Sequence, residues 1–209
     1  MNLLLCGSFV FLCLIHFVVS ATFFDDFKSS DSFVSSSEIA VTIPDDRLFL
    51  AARGNDIEAV RSLISQHVNV NSLYDSKLKI SPLMVASWNS FAGIVTELLS
   101  CEDIDVNAQN GTGQTALHHA VLVADLKTIS LLLAHPRIDV NLSDDNLVTV
   151  LHLATSRGEA DIIKLLLKFK ELNIEALNSK GQTPLMCAMP VIRHEIEALF
   201  RINALKRQE

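Results

Sequence analysis

Glycine and proline are scarce, seven and five in 209 residues, and tryptophan and tyrosine occur once each. So little Gly and Pro excludes collagen-like and Gly/Pro-rich low-complexity chains, and no heptad pattern is sustained long enough for a coiled coil. Basic residues are in deficit: 17 Lys and Arg face 24 Asp and Glu, for a net charge of -7. With no dense basic block, the sequence argues against nucleic-acid binding, which depends on Lys and Arg to displace phosphate counterions. Catalytic signatures are missing too: no G-x-S-x-G, no H-E-x-x-H, no Gly-rich phosphate loop, no H-x-E with P-C-x-x-C. The seven His residues fall at scattered positions without the Cys/His/Asp spacing of a metal site. The sequence therefore implies no enzyme, no cofactor, no metal and no small-molecule substrate.

Apolar content is abundant and unevenly spread. The first 24 residues hold no Asp, Glu, Lys or Arg, and eighteen of them are hydrophobic. Leu3 to Val19 is a nearly unbroken apolar run followed by the small residues Ser20 and Ala21, as in a secretory signal with its cleavage site. The run is short for a spanning helix, which needs roughly 20 apolar residues. Thr22-Phe23-Phe24 extends it, however, so a membrane anchor over residues 3–24 is the alternative to a signal peptide over 1–21. A secreted or exported protein is expected in the first case and a membrane-anchored one in the second. Membrane contact is expected only through this segment. Residues 22–44 read as a tether, because Ser29, Ser30, Ser32, Ser35, Ser36 and Ser37 are interleaved with Asp25, Asp26, Asp31 and Glu38. Once leader and tether are set aside, the remainder is close to charge balance and long enough for one domain with a sizeable core.

That remainder repeats itself. Ser81-Pro82-Leu83-Met84-Val85-Ala86, Thr115-Ala116-Leu117-His118-His119-Ala120, Thr149-Val150-Leu151-His152-Leu153-Ala154 and Thr183-Pro184-Leu185-Met186-Cys187-Ala188 start at intervals of 34 residues. A degenerate earlier copy is Leu48-Phe49-Leu50-Ala51. A second element recurs in phase: Val70-Asn71, Val106-Asn107, Val140-Asn141, then the decayed Ile174-Glu175. In each unit the Ser or Thr hydroxyl can cap a helix, with Pro82 or Pro184 at the first helical position, where proline is tolerated. The small Ala86, Ala120, Ala154 and Ala188 permit close helix approach. Asn55 and Gly158 suit a tight turn into a second helix, which buries Leu98-Leu99, Leu131-Leu132-Leu133 or Leu165-Leu166-Leu167. No unit can cover this apolar surface alone, so the units must stack.

These residues resemble the ankyrin repeat, with its T-P-L-H-x-A motif and period of about 33 residues. The resemblance covers residues 45–205 and implies an all-α solenoid of five helix-turn-helix units with short hairpin or loop fingers. The repeats run at about 45–75, 76–109, 110–143, 144–177 and 178–205, with a tail at 206–209. Departures are visible at both ends. The first copy carries Asp45, Asp46 and Arg47 in place of Thr-Pro, as a polar cap would. The last has Pro190-Val191-Ile192 where a polar helix end and a turn belong. Leu147 stands where Gly113 and Gly181 stand in neighbouring units, and the finger before Leu83 is two residues longer than the others.

The resemblance also implies roles. His118 and His152 occupy the motif His slot, which bonds between neighbouring repeats. Asn107 and Asn141 hold the slot whose amide braces adjacent fingers. A protein partner is expected on the concave face, formed by finger tips and by the outer ends of the first helices. Those helix ends are Trp88 and Asn89, Leu122 and Val123, and Ser156 and Arg157. The tips are Lys77 and Lys79, Thr112 and Gln114, and Asp145 and Asn146. Trp88 has two readings, an anchor for the partner or a side chain packed on its own neighbouring repeat. Nothing in the sequence demands self-association, so a monomer is expected. Cys101 and Cys187 lie in repeats 2 and 5, too far apart for an internal disulfide in a stack with helices roughly 8–10 Å apart. Two glycosylation sequons occur, at Asn110-Gly111-Thr112 and Asn141-Leu142-Ser143. Asn141 is expected to be incompatible with a glycan, and Asn110 to be more permissive.

Overall fold

The computed structural model describes residues 46–206 apart from Ser76. The signal or anchor segment and the tether lie outside the described residues. Ten helices follow one another among the described residues: α1 Arg47–Arg53, α2 Ile57–Ser65, α3 Pro82–Trp88, α4 Ala92–Leu99, α5 Ala116–Leu122, α6 Leu126–Leu133, α7 Val150–Arg157, α8 Ala160–Leu166, α9 Pro184–Cys187 and α10 Pro190–Lys206. They pair as five helix-turn-helix units. First helices pack in one row, α1 on α3 on α5 on α7 on α9, and second helices in another, α2 on α4 on α6 on α8. None of the described helices is long and apolar enough to cross a membrane.

Local chemistry fixes where the first helices start. Ser81 Oγ accepts the Met84 N–H at 3.2 Å, while Thr115 and Thr149 accept from His118 and His152 at 3.4 Å. In α5 and α7 the capping is reciprocal: His118 Nδ1 and His152 Nδ1 accept the Thr115 and Thr149 N–H groups at 3.3 and 3.2 Å. Histidine thus does what Glu or Gln does in the common capping box. Ala86, Ala120, Ala154 and Ala188 are buried, as are Leu83, Leu117 and Leu151. The small side chains let the rows approach, and the leucines fill the space between them.

Between the two helices of a unit the chain takes a left-handed turn. Asn55, Ser90, Ala124 and Gly158 all have positive φ, from 55° to 73°. Only two of those four residue types favour that region. Among the described residues the fingers contain isolated bridges at Tyr74–Ile80 and Ser143–Thr149 and no extended strand.

The last unit is rebuilt. Pro190 cannot supply a helix-interior N–H and disfavours helical geometry at Met189. Hence α9 stops after four residues, Ala188 is extended (ψ 138°), and α10 runs for seventeen. Arg193 bonds the Met186 and Ala188 carbonyls at 3.2 and 3.0 Å, satisfying the broken helix end. Asn203 Nδ2 donates to the Leu167 carbonyl at 2.6 Å, just past the end of α8. Met186 is 58% exposed, whereas its equivalents Met84, His118 and His152 are at most 2% exposed beneath the next repeat.

Candidate protein-binding face

The fingers are tied together at two levels. At their bases, Asn71, Asn107 and Asn141 each bracket the next repeat. Their amide groups donate to the carbonyls of Asp103, Arg137 and Glu171 at 2.7–2.8 Å. Their side-chain oxygens accept the N–H of Asp105, Asp139 and Asn173 at 2.8–2.9 Å. At the tips the backbone itself is bonded from one finger to the next. Gly111 N–H donates to Leu78 O at 2.7 Å, Asp145 N–H to Thr112 O at 3.1 Å, and Ser179 N–H to Asn146 O at 2.8 Å. A Cβ on Gly111 would lie 2.2 Å from the Lys77 carbonyl oxygen. The longer finger before α3 crowds the next tip, and only glycine passes there.

Within single fingers, aspartate and asparagine side chains fold the backbone. Asp75 Oδ1 accepts from the Lys77 and Leu78 N–H groups at 2.7 and 2.9 Å, and those bonds hold its carboxyl below its ordinary pKa. Asp144 and Asn178 do the same for fingers 4 and 5. Asn110 Oδ1 accepts from Thr112 N–H, Thr112 Oγ and Gln114 N–H at 2.9 Å each. Its Nδ2 faces His119 Nε2 at 3.4 Å. The expectation that Asn110 is the more permissive glycan acceptor is therefore overturned: both sequon asparagines spend their amides inside the stack.

Lys77, Lys79, Thr112, Asp145 and Asn146 are exposed at the tips, and Gln114 is half-buried. Trp88, Leu122 and Arg157 end α3, α5 and α7, with Asn89 and Val123 in the adjoining cap positions. Asn89 Nδ2 bonds Val85 O at 2.9 Å, and Ser156 Oγ bonds Leu153 O at 2.9 Å. Trp88 is half-buried, its ring meeting His119 of the next repeat edge-on at 5.5 Å and 82°. The single tryptophan is thus packed on its neighbour on one side and accessible on another.

The histidines split by position. His118 Nε2 donates to Val148 O at 3.1 Å and His152 Nε2 to Gln182 O at 3.0 Å, so each spans a repeat joint. Burial pulls both below the ordinary histidine pKa. The carbonyl bonds, and Asp144 nearby, act in the opposite direction. Burial, with His118 adjacent, pushes His119 down to about 3. Its Nδ1 is buried without a hydrogen-bond partner. Sequence reasoning places His119 away from a metal partner but does not foresee this isolation, because its slot holds Val85, Leu153 and Cys187 in the other repeats. No cluster of three or more His, Cys, Asp or Glu suited to a metal ion occurs among the described residues. Cys101 and Cys187 are free thiols.

Stacked helix-turn-helix units with bracketed fingers define a helical repeat solenoid. The family model described as ankyrin repeats (3 copies) matches residues 48–144 and 138–197. The chain belongs to the ankyrin-repeat family, whose members generally mediate protein–protein interaction. A comparison with curated proteins finds no match.

Proposed function

We propose that this protein is an exported adaptor that performs no chemistry and holds another protein against its concave face. The observation that carries this reading is the row of finger tips joined backbone to backbone. A tie at every joint holds Lys77, Lys79, Thr112, Asp145 and Asn146 at fixed spacing before any partner arrives. Binding to a prearranged surface loses less ordering entropy than binding to loose loops. Trp88, Leu122 and Val123 supply half-buried apolar contact beside the tips, Arg157 adds charge, and Trp and Arg are frequent interface hot spots. Export rests on the charge-free first 24 residues and the Ser20-Ala21 site.

The test is affinity capture with the full chain and with two charge-reversed forms. Lys77→Glu with Asp145→Lys at the tips abolishes capture of the partner, while Lys164→Glu on α8 leaves it intact. Equal capture by all three would refute concave-face binding. The second reading, a scaffold anchored by residues 3–24, rests on Thr22-Phe23-Phe24 extending the apolar run. N-terminal sequencing separates the two: a start near Ala21 or Thr22 supports export, and an intact Met1 supports anchoring.

A further inference from the structure

The helix α10 carries two apolar faces, and the stack uses only one. Ile196 and Phe200 are buried against the preceding repeat. They stand 34 residues after Ile162 and Leu166 of α8, which are buried in the same way. That correspondence fixes the register between the two units. One position further round, at helical spacing, lie Val191, Glu195, Ala198, Ile202 and Leu205. Val191 is 92% exposed, Leu205 66% and Ile202 50%.

The equivalents of this stripe show that the fold does not ask for it. In repeat 4 the same positions are Arg157, Asp161, Lys164, Lys168 and Glu171, all exposed. In repeat 3, Lys127, Ser130, Ala134 and Arg137 are likewise exposed. Those repeats are covered on both sides by neighbours, yet the row stays in solvent. One more repeat stacked beyond Met186 would therefore leave the α10 stripe uncovered as well. Apolar residues stand there in place of charged ones, and such surfaces mark contacts.

We propose that the stripe is a self-association seam, in which α10 of one molecule packs antiparallel on α10 of a second copy. The stripe is symmetric about Ala198. A two-fold axis through that residue sets Val191 against Leu205 of the second copy, over roughly 20 Å of helix. The small Ala198 side chain at the crossing lets the helices approach closely. The same axis brings Glu195 opposite Arg201 of the second copy, giving the complementary charges an isologous interface needs. Arg201 already reaches Glu197 of its own helix at 2.6 Å, which places its guanidinium beside the stripe. An acid within the apolar row opposes burial in a lipid surface and suits a partner that brings its own arginine. This seam lies away from the finger tips and does not depend on the proposed concave-face function.

Sedimentation equilibrium of the full chain across a concentration series tests the seam. The wild-type chain dimerises. Ile202→Glu raises the dissociation constant at least about tenfold, the worth of losing about 1.4 kcal/mol, while circular dichroism stays unchanged. Glu195→Arg alone weakens the dimer, and Glu195→Arg combined with Arg201→Glu restores it. Ala198→Cys on the axis forms an intermolecular disulfide under mild oxidation. A chain that stays monomeric, a dimer indifferent to Ile202→Glu, or a charge swap that fails to restore association would each overturn the proposal.

Discussion

At the scale of single residues, His119 is the position where the sequence works against the fold. Asn110 Oδ1 is committed to two backbone N–H groups, so its Nδ2 is the atom turned to His119 Nε2. The imidazole proton must then sit on Nδ1, which is buried and unpartnered. Leaving a buried donor unpaired costs about 1–3 kcal/mol. His119→Leu, which copies Leu153 in the next repeat, is expected to raise stability by about 1–2 kcal/mol in urea unfolding. Leu147 presents a milder conflict. It takes φ 57° at the slot where Gly113 and Gly181 take 78° and 70°, and it is 52% exposed, so its side chain contributes little burial. Left-handed geometry costs a branched residue about 1–2 kcal/mol, partly offset by the greater unfolded freedom of glycine. Leu147→Gly is expected to raise the melting temperature slightly, by about 0.5–1 kcal/mol of stability.

At the scale of elements, the repeat units were legible because each local rule pointed the same way: cap, proline, alanine and leucine recur in register. The left-handed residues were only half legible. Asn55, Gly113 and Gly181 announce them, whereas Lys79, Ser90, Ala124 and Leu147 are forced there by the packing of rigid neighbours on either side. Pro190 was visible as a break, but not that α9 would shrink to one turn while α10 grew to fill the end. The second stripe of α10 could not be read at all, since apolar periodicity does not reveal which face a stack leaves open. Asn brackets carry the joints between fingers. Asn107→Ala deletes the bonds to Arg137 O and Asp139 N and strands both groups. The expected loss is about 2 kcal/mol by chemical denaturation. Gly111→Ala is expected to disorder the tip joint before repeat 3 while sparing the helices, seen as faster amide exchange at Leu78, Thr112 and Asp145 with unchanged helical dichroism.

For the molecule as a whole, three imidazoles sit on three successive joints. His119 contacts repeat 2, His118 reaches repeat 4, and His152 reaches repeat 5. All three are held below the ordinary histidine value of 6.5, chiefly by burial. The unfolded chain therefore takes up protons before the fold does. Stability is complete above about pH 6.5 and falls as the pH drops, for His119 down to about 3. Each such histidine adds a slope of up to about 1.4 kcal/mol per pH unit. Urea midpoints measured from neutral to mildly acidic pH should fall steeply for the wild-type chain and less steeply for His119→Leu.

The finger-tip bonds carry one last implication, and it is mechanical. The stack is fastened at three depths: helix against helix, Asn brackets at the finger bases, and single backbone bonds at the tips. Layers fastened at several depths behave as a laminated beam, stiffer than any layer alone. Flexing such a beam strains the outermost fastening first, and here that fastening is one hydrogen bond per joint. The tip row is therefore the gauge of curvature: it holds the solenoid at one bend and yields first when a load tries to open it.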